Sequence, residues 1–381
     1  MIIRRRFRHA WKVRRGGTPR PAAGTAALPG HSASRPIAIR NLFLAIALLY
    51  CGTLLADPQE MPAEAAVTVD PQTKLVIKGA LKYLASKQRL DGSWALKEGI
   101  SGHPVAMTGY TLLAFMATGN LPDEGDYSKN VTLGMQFLLD SIQPDGLFRG
   151  VSQGQYMYNH GIATIALAEL YGETRSPMIR VKLQRVVDVI IKAQNPAGGW
   201  RYRPEPNDAD ISVTVLQVVA LRAAQEGGLS VPQESIEKAI AYVGSCYRAD
   251  SGGFSYQPRQ DAGFARTAAA TYSLQVLGKY DDPMVKTGSE YLVTHLLKGG
   301  GFWTYGNYYA APAQYMVGGE TWSNWYAQIK KILLGKVVKE GDTAHWEQTL
   351  EGPGQTGPIF FTAVSVHILA MPYHFIPLYQ R

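Results

Sequence analysis

The sequence predicts an all-α fold in which an inner ring of six helices is enclosed by an outer ring of six. Three observations predict it. The first is a recurring turn. Gln88…Asp91-Gly92-Ser93-Trp94 is echoed by Gln143…Asp145-Gly146-Leu147-Phe148 and by Gln194…Gly198-Gly199-Trp200. Weaker copies stand at Gly252-Gly253-Phe254 and Gly300-Gly301-Phe302, with a degraded sixth at His345-Trp346. The aromatic residues lie 54, 52, 54, 48 and 44 residues apart, a period that indicates a repeat architecture. The second observation is that a segment of mixed polarity, with apolar positions at helical spacing, precedes the turns. The third is a second set of segments, between the turns, that is apolar nearly all round.

Taken in order, the mixed segments are KLVIKGALKYLASKQ, NVTLGMQFLLDSIQ, VKLQRVVDVIIKAQ, IEKAIAYVGSCY and VKTGSEYLVTHLL, each half-exposed and therefore external. The apolar set is VAMTGYTLLAFMATG, YNHGIATIALAELYG, DISVTVLQVVALRAA, ARTAAATYSLQVLG, YYAAPAQYMVGG and FFTAVSVHILAM. These are rich in Ala, Thr and Gly and are expected to be buried on every side. Twelve helices of about 12 residues with short loops need roughly 250 to 300 residues, which the span 73–377 supplies. An open solenoid would need polar capping repeats, whereas the closing FIPLYQR has none, as suits a ring closed on itself. Within each turn the Gly permits a tight reversal and the Trp or Phe covers the helix end. The Gln can bond backbone groups at a neighbouring helix terminus, so the motif reads as a staple.

The net charge of +8 does not mark a nucleic-acid binder. Ten of the 38 Lys and Arg fall in residues 1–40, where there is no Asp or Glu, leaving 28 basic against 30 acidic residues. That basic leader runs into LFLAIALLYCGTLLA, short for a membrane span but right for the apolar region of a secretory signal, with Leu54-Leu55-Ala56 as a cleavage site. Residues 1–56 are therefore expected to be leader and signal, and the Pro-rich acidic residues 57–72 a linker. The toroidal domain is expected over 73–377. Export to the periplasm or cell envelope follows, with membrane contact only through the signal or an uncleaved anchor. Of two cysteines, Cys51 lies in the signal, and Cys246 alone remains as a buried thiol.

Lys78-Gly79…Tyr83-Leu84…Gln88…Gly92-x-Trp94 resembles the QW motif of terpenoid and squalene cyclases, whose repeats occur also in protein prenyltransferase β subunits. The resemblance covers almost all of residues 73–377 and implies the (α/α)6 toroid. MYNHGIATIALAELYG, GGWRYRPEPNDADISVTVLQVVALRAA, GGETWSNW and IPLYQR look like exported bacterial prenyltransferase/squalene oxidase repeat proteins.

In squalene cyclases an Asp-x-Asp-Asp-Thr-Ala motif begins an inner helix, and its middle Asp protonates the alkene. Asp208-Ala209-Asp210-Ile211-Ser212 resembles it, with Asp210 at the protonating position, Asp208 upstream and Ile211 replacing the last Asp. An acid of that kind must be kept neutral, and Asp208 assists only if residues 208–210 are extended. The plainer role of an Asp at a helix start is to cap free N–H groups. His160 and Tyr158 open the second inner helix, Arg266 the fourth, and Tyr308 and Tyr309 the fifth. All are expected at the same mouth, where His160 could hold an acid and Arg266 could pair with Asp210 or bind an anionic head group. The prenyltransferase zinc site is not expected, since Cys246 falls in an outer helix, and no metal or other cofactor is expected. Asn130-Val131-Thr132 fits a glycosylation sequon.

Three functions fit. An isoprenoid or other apolar lipid, bound or transformed with Asp210 as acid, calls for a deep apolar cavity. A non-catalytic exported scaffold that binds an envelope protein partner calls for a filled ring. A glycan-active enzyme calls for a polar cleft with paired carboxylates.

Overall fold

The computed structural model describes residues 67–97, 99–298, 301–350 and 356–376. The expected leader and signal, most of the linker and the last five residues lie outside the described residues. Six helices form the outer layer: α1 (Pro71–Ser86), α3 (Ser128–Ser141), α5 (Pro177–Ala193), α7 (Gln233–Ser245), α9 (Pro283–His295) and α11 (Gly319–Lys336). Six alternate with them inside: α2 (Pro104–Met116), α4 (Tyr156–Thr174), α6 (Ile211–Glu226), α8 (Phe264–Val276), α10 (Trp303–Val317) and α12 (Gly357–Ala370). Each inner helix packs against the next, and α12 packs back onto α2, so the ring closes. This is the all-α (α/α)6 toroid that the sequence predicts.

The layers differ in burial as their composition dictates. In α5, Ile179, Leu183, Val186, Val187 and Ile190 are buried while Met178 and Val181 are exposed, which is a one-sided helix. Every residue of α12 from Phe360 to Ala370 is buried. Helix α1 starts at Pro71, two residues ahead of the expected domain boundary. Asp70 caps it by accepting from the Thr73 N–H at 2.9 Å, and Pro occupies the first turn, where a missing N–H costs nothing.

The repeat turn is a set of specific bonds. The Trp94 indole N–H donates to the Leu84 carbonyl at 2.6 Å, that of Trp200 to Ile190 at 2.7 Å and that of Trp346 to Leu333 at 2.8 Å. Each ring thus satisfies an orphan carbonyl at the end of its own outer helix. The backbone N–H of Trp94, Trp200, Phe254 and Trp346 donates in turn to a threonine of the following inner helix: Thr108, Thr214, Thr267 and Thr362. The glutamine reaches sideways, with Gln194 donating to Gly198 in its own turn and to Ser235 in the next outer helix, both at 2.9 Å. Gly198 has φ +100°, and a Cβ there would lie 2.1 Å from the Lys238 carbonyl oxygen. Only glycine lets the neighbouring outer helix come this close.

Two copies differ from expectation. In the fifth, Phe302 is 74% exposed, and Trp303 fills the slot instead, 2% exposed with its indole on the Leu296 carbonyl. The sixth, degraded in sequence, is intact in space around Trp346. It is reached through a hairpin, β3 (Val338–Glu340) and β4 (Thr343–His345), turned by Gly341-Asp342 and laid against α1, where Gly79 gives it room. A smaller hairpin, β1 (Tyr247–Arg248) and β2 (Gly253–Phe254), precedes α8.

Candidate functional site

The inner helices all begin at one mouth of the ring, and their first turns meet there. The Tyr158 hydroxyl of α4 lies 2.5 Å from Ser212 Oγ of α6, and the Tyr305 hydroxyl of α10 donates to the Ser212 carbonyl at 2.6 Å. Helices α4 and α10 are opposite one another in the ring, yet the rings of Tyr158 and Tyr305 are only 6.4 Å apart. One layer deeper Tyr110 of α2 meets Tyr308 of α10 edge-on at 5.2 Å and Phe360 of α12 at 5.1 Å. Tyr309 stands beside Tyr305, Tyr308 and Tyr272. Aromatic side chains therefore bridge the lumen. Tyr308 and Tyr309, expected at the rim, sit in the second turn of α10 and form part of this buried plug, because α10 begins at Trp303.

Above the plug, the loop from Trp200 to Asp210 supplies the rim. Asp210 is extended at φ −144° and caps α6: its Oδ1 accepts from the Val213 N–H at 3.0 Å and from Ser212 Oγ at 2.6 Å. Its Oδ2 faces Arg201 Nε at 3.4 Å. The carboxylate of Asp208, two residues back, also pairs with Arg201 and accepts from Gln257. The extended backbone places both carboxylates on one guanidinium. Burial pushes the fully buried Asp210 carboxyl above its ordinary value, against the opposing bonds from Ser212 and Val213 and the charge of Arg201. At Asp208, mild burial is outweighed by the Ala209 N–H and Arg201, and its carboxyl falls below the usual range. Arg201 also lies over the rings of Tyr202, at 5.0 Å, and Tyr256, at 5.8 Å, whose hydroxyls bond one another.

Two expected members are elsewhere. His160 turns outward, not to the mouth: its Nε2 bonds the Val186 carbonyl of α5 at 2.9 Å, and its ring packs on Phe148 and Tyr156. Burial holds it down to about 4, so it is a neutral strut between the layers. Arg266 does not pair with Asp210; Arg201 takes that place, while Arg266 lies over Gly263 and within electrostatic range of Tyr291. Arg201, Tyr202 and Tyr256 come from loops outside the inner helices, and Tyr305 from the first turn of α10, ahead of the apolar segment that starts at Tyr308 in the sequence. Their signal is a second repeat, an aromatic residue followed two positions on by tyrosine: Trp200-x-Tyr202, Phe254-x-Tyr256 and Trp303-x-Tyr305.

The opposite mouth has another character. Glu169 of α4 is 7% exposed, and burial, then Glu226 and Glu173, raise its carboxyl to about 8. Burial also raises Glu226 at the end of α6, although Arg222 binds it at 2.7 Å. Among the described residues no three His, Cys, Asp or Glu are grouped closely enough to hold a metal ion, and no helix is long and apolar enough to cross a membrane.

Comparison with known proteins begins with solved structures. An inactive variant of the α-1,6-mannanase of Salegentibacter sp., in complex with α-1,6-mannotriose, superposes with a TM-score of 0.60 at 8% identity, covering 80% of this chain and 99% of that one. A sugar epimerase from a ruminal bacterium gives 0.58 at 12% identity, covering 80% and 98%. A type II terpene cyclase from Scytonema gives 0.53 at 16% identity, covering 80% and 99%. At these identities the likeness is one of fold. Comparison with curated proteins yields no match. The family model of the prenyltransferase alpha-alpha toroid domain matches residues 105–303, more than half of the sequence, and the chain belongs to that family.

Proposed function

We propose that the protein is a sugar-binding toroid whose ligand sits on the rim formed by Arg201, Tyr202, Asp208, Tyr256 and Gln257. The observation that carries this reading is the aromatic bridge across the lumen between Tyr158 and Tyr305. It leaves a ligand the rim and not the interior. An isoprenoid or similar apolar lipid gains most from enclosure in an apolar cavity, and these tyrosines stand where its chain would lie. The rim instead offers half-buried aromatic faces beside a guanidinium, a carboxylate and an amide, which suit the C–H faces and hydroxyls of a sugar. The mannanase and the epimerase, named for sugar chemistry, use the same fold. Export to the envelope, inferred from residues 1–56, suits a glycan ligand equally well, and leaves room for an envelope protein partner on the outer surface.

A second reading has one observation in its favour. Asp208 and Asp210 share Arg201 yet are shifted in opposite directions, the pattern of an ionised carboxylate beside a proton-holding one. On this reading the pair acts on a glycosidic bond once Arg201 and Tyr256 uncover Asp210.

Isothermal titration of the purified chain with α-1,6-mannotriose, cellobiose and related oligosaccharides tests the proposal. Binding that falls at least tenfold in Tyr202→Ala is expected. A co-purifying polyprenoid, with no oligosaccharide bound, would refute it in favour of the lipid. Product formation abolished by Asp210→Asn would promote the second reading.

A further inference from the structure

We propose that a cleft beside the entry mouth, lined by Arg248, Asp250, Asp261, Tyr291 and His295, is a second sugar subsite. The proposal rests on the sugar reading of the rim and extends it: the ligand is an oligosaccharide that reaches from the rim over one loop, not a single sugar unit. The cleft has a volume of about 320 Å³, enough for a small organic ligand. It lies between the β1–β2 hairpin, the loop that follows, and the last turns of α9. That loop, residues 255–262, serves both sites, and its ends are bridged at Ser255 and Ala262. On one side Gln257 donates to the Asp208 carboxylate at 3.2 Å and to the Ala209 carbonyl at 2.8 Å. On the other, Asp261 and Ala262 line the cleft. Gln257 and Asp261 are four positions apart, so their backbones stand within about 14 Å of each other.

Gly253 brings α9 close to the hairpin, since a Cβ there would stand 2.9 Å from the Tyr291 ring. One turn further on, His295 lies parallel to Tyr291, ring centres 3.8 Å apart and planes 3° apart, and both rings line the cleft. A carbonyl can only accept. The 2.9 Å contact between His295 Nδ1 and the Tyr291 carbonyl therefore puts the ring proton on Nδ1 and leaves Nε2 as an acceptor. Asp250 grips Arg248 through Nε at 3.3 Å and Nη2 at 2.8 Å, which fixes the fork and uses two of its donors. This mixture of groups selects the ligand. An anion would meet the carboxylates of Asp250 and Asp261, and a cation would meet Arg248. A neutral polyhydroxyl satisfies both signs, because each hydroxyl donates and accepts, and the C–H face of its ring suits the aromatic pair.

The test is isothermal titration of the full chain with α-1,6-manno-oligosaccharides and cello-oligosaccharides of two to five units. In the series that binds, affinity should be at least tenfold higher at five units than at two. Tyr291→Ala should remove that gain and leave the two-unit affinity unchanged, whereas Tyr202→Ala should weaken binding at every length. Equal affinity at all lengths, or a gain undiminished in Tyr291→Ala, overturns the second subsite and leaves the rim reading standing. Binding lost in Tyr291→Ala but untouched by Tyr202→Ala supports the cleft and overturns the rim reading. No binding at any length overturns both. If Tyr291→Ala fails to fold, the exposed Asp261→Ala decides by the same criterion.

Discussion

The two mouths of the ring place acids in opposite electrostatic settings. At the entry mouth Asp210 sits at a helix N-terminus, where its Oδ1 accepts from two donors and its Oδ2 faces Arg201 at 3.4 Å. At the far mouth Glu169 sits near a helix C-terminus, where burial and then Glu226 and Glu173 raise its carboxyl to about 8. A ring of parallel helices makes its ends unlike, and a buried acid at the negative end is favoured in its neutral form.

The comparison can be broken from either side. The largest effect is expected at the turns beside the entry mouth, where Trp200→Ala removes a fully buried indole and its bond to Ile190 and should cost about 3–5 kcal/mol in urea unfolding. Gly198→Ala should cost a comparable amount through backbone clash and positive φ. Gly172→Ala at the far mouth should be neutral or gain up to about 1 kcal/mol, as in any open helix position.

Next comes pH. Because Glu169 has a folded value near 8 against an ordinary 4.5, the native state holds its proton where the unfolded state has lost it. Stability should therefore fall as pH rises through that window, by up to about 1.4 kcal/mol per unit, and level off above it. Glu169→Gln should flatten this fall; an unchanged slope would mean that the far-mouth acid is not responsible. Smaller still is Asp210→Asn, which keeps a good cap but weakens the hold on Arg201 and should lose about 1 kcal/mol. A gain instead would mean that Asp210 is kept against the interest of the fold, and the contrast between the mouths would vanish. Smallest is Tyr158→Phe, which should cost about 1 kcal/mol or less for the bond to Ser212.

Much of this architecture was legible because repeats constrain it several times over. The period of the Gln and aromatic residues, the two classes of helix and the closure of the ring all follow from patterns that recur. The site was legible only where the backbone determines direction. Asp210 precedes a helix, so it had to cap it. His160 lies inside a helix apolar on every side, and such a helix has no amphipathic phase to tell lumen from outer layer. The same ambiguity hid the depth of Tyr309. Arg201 was missed for a different reason: it comes from a loop and meets Asp210 only because the Asp210 N–H bonds the Trp200 carbonyl at 3.0 Å and draws the two ends of the loop together.

The packing of α12 against α2 also governs how the chain can reach its native state. The two walls of that seam are separated by some 250 residues, so the contact is among the slowest to form, as loop-closure entropy dictates. Until α12 arrives, an apolar flank of α2 and another of α10 have no cover. A chain interrupted before that point would present sticky surfaces to its neighbours, and its self-association would reveal an unfinished ring.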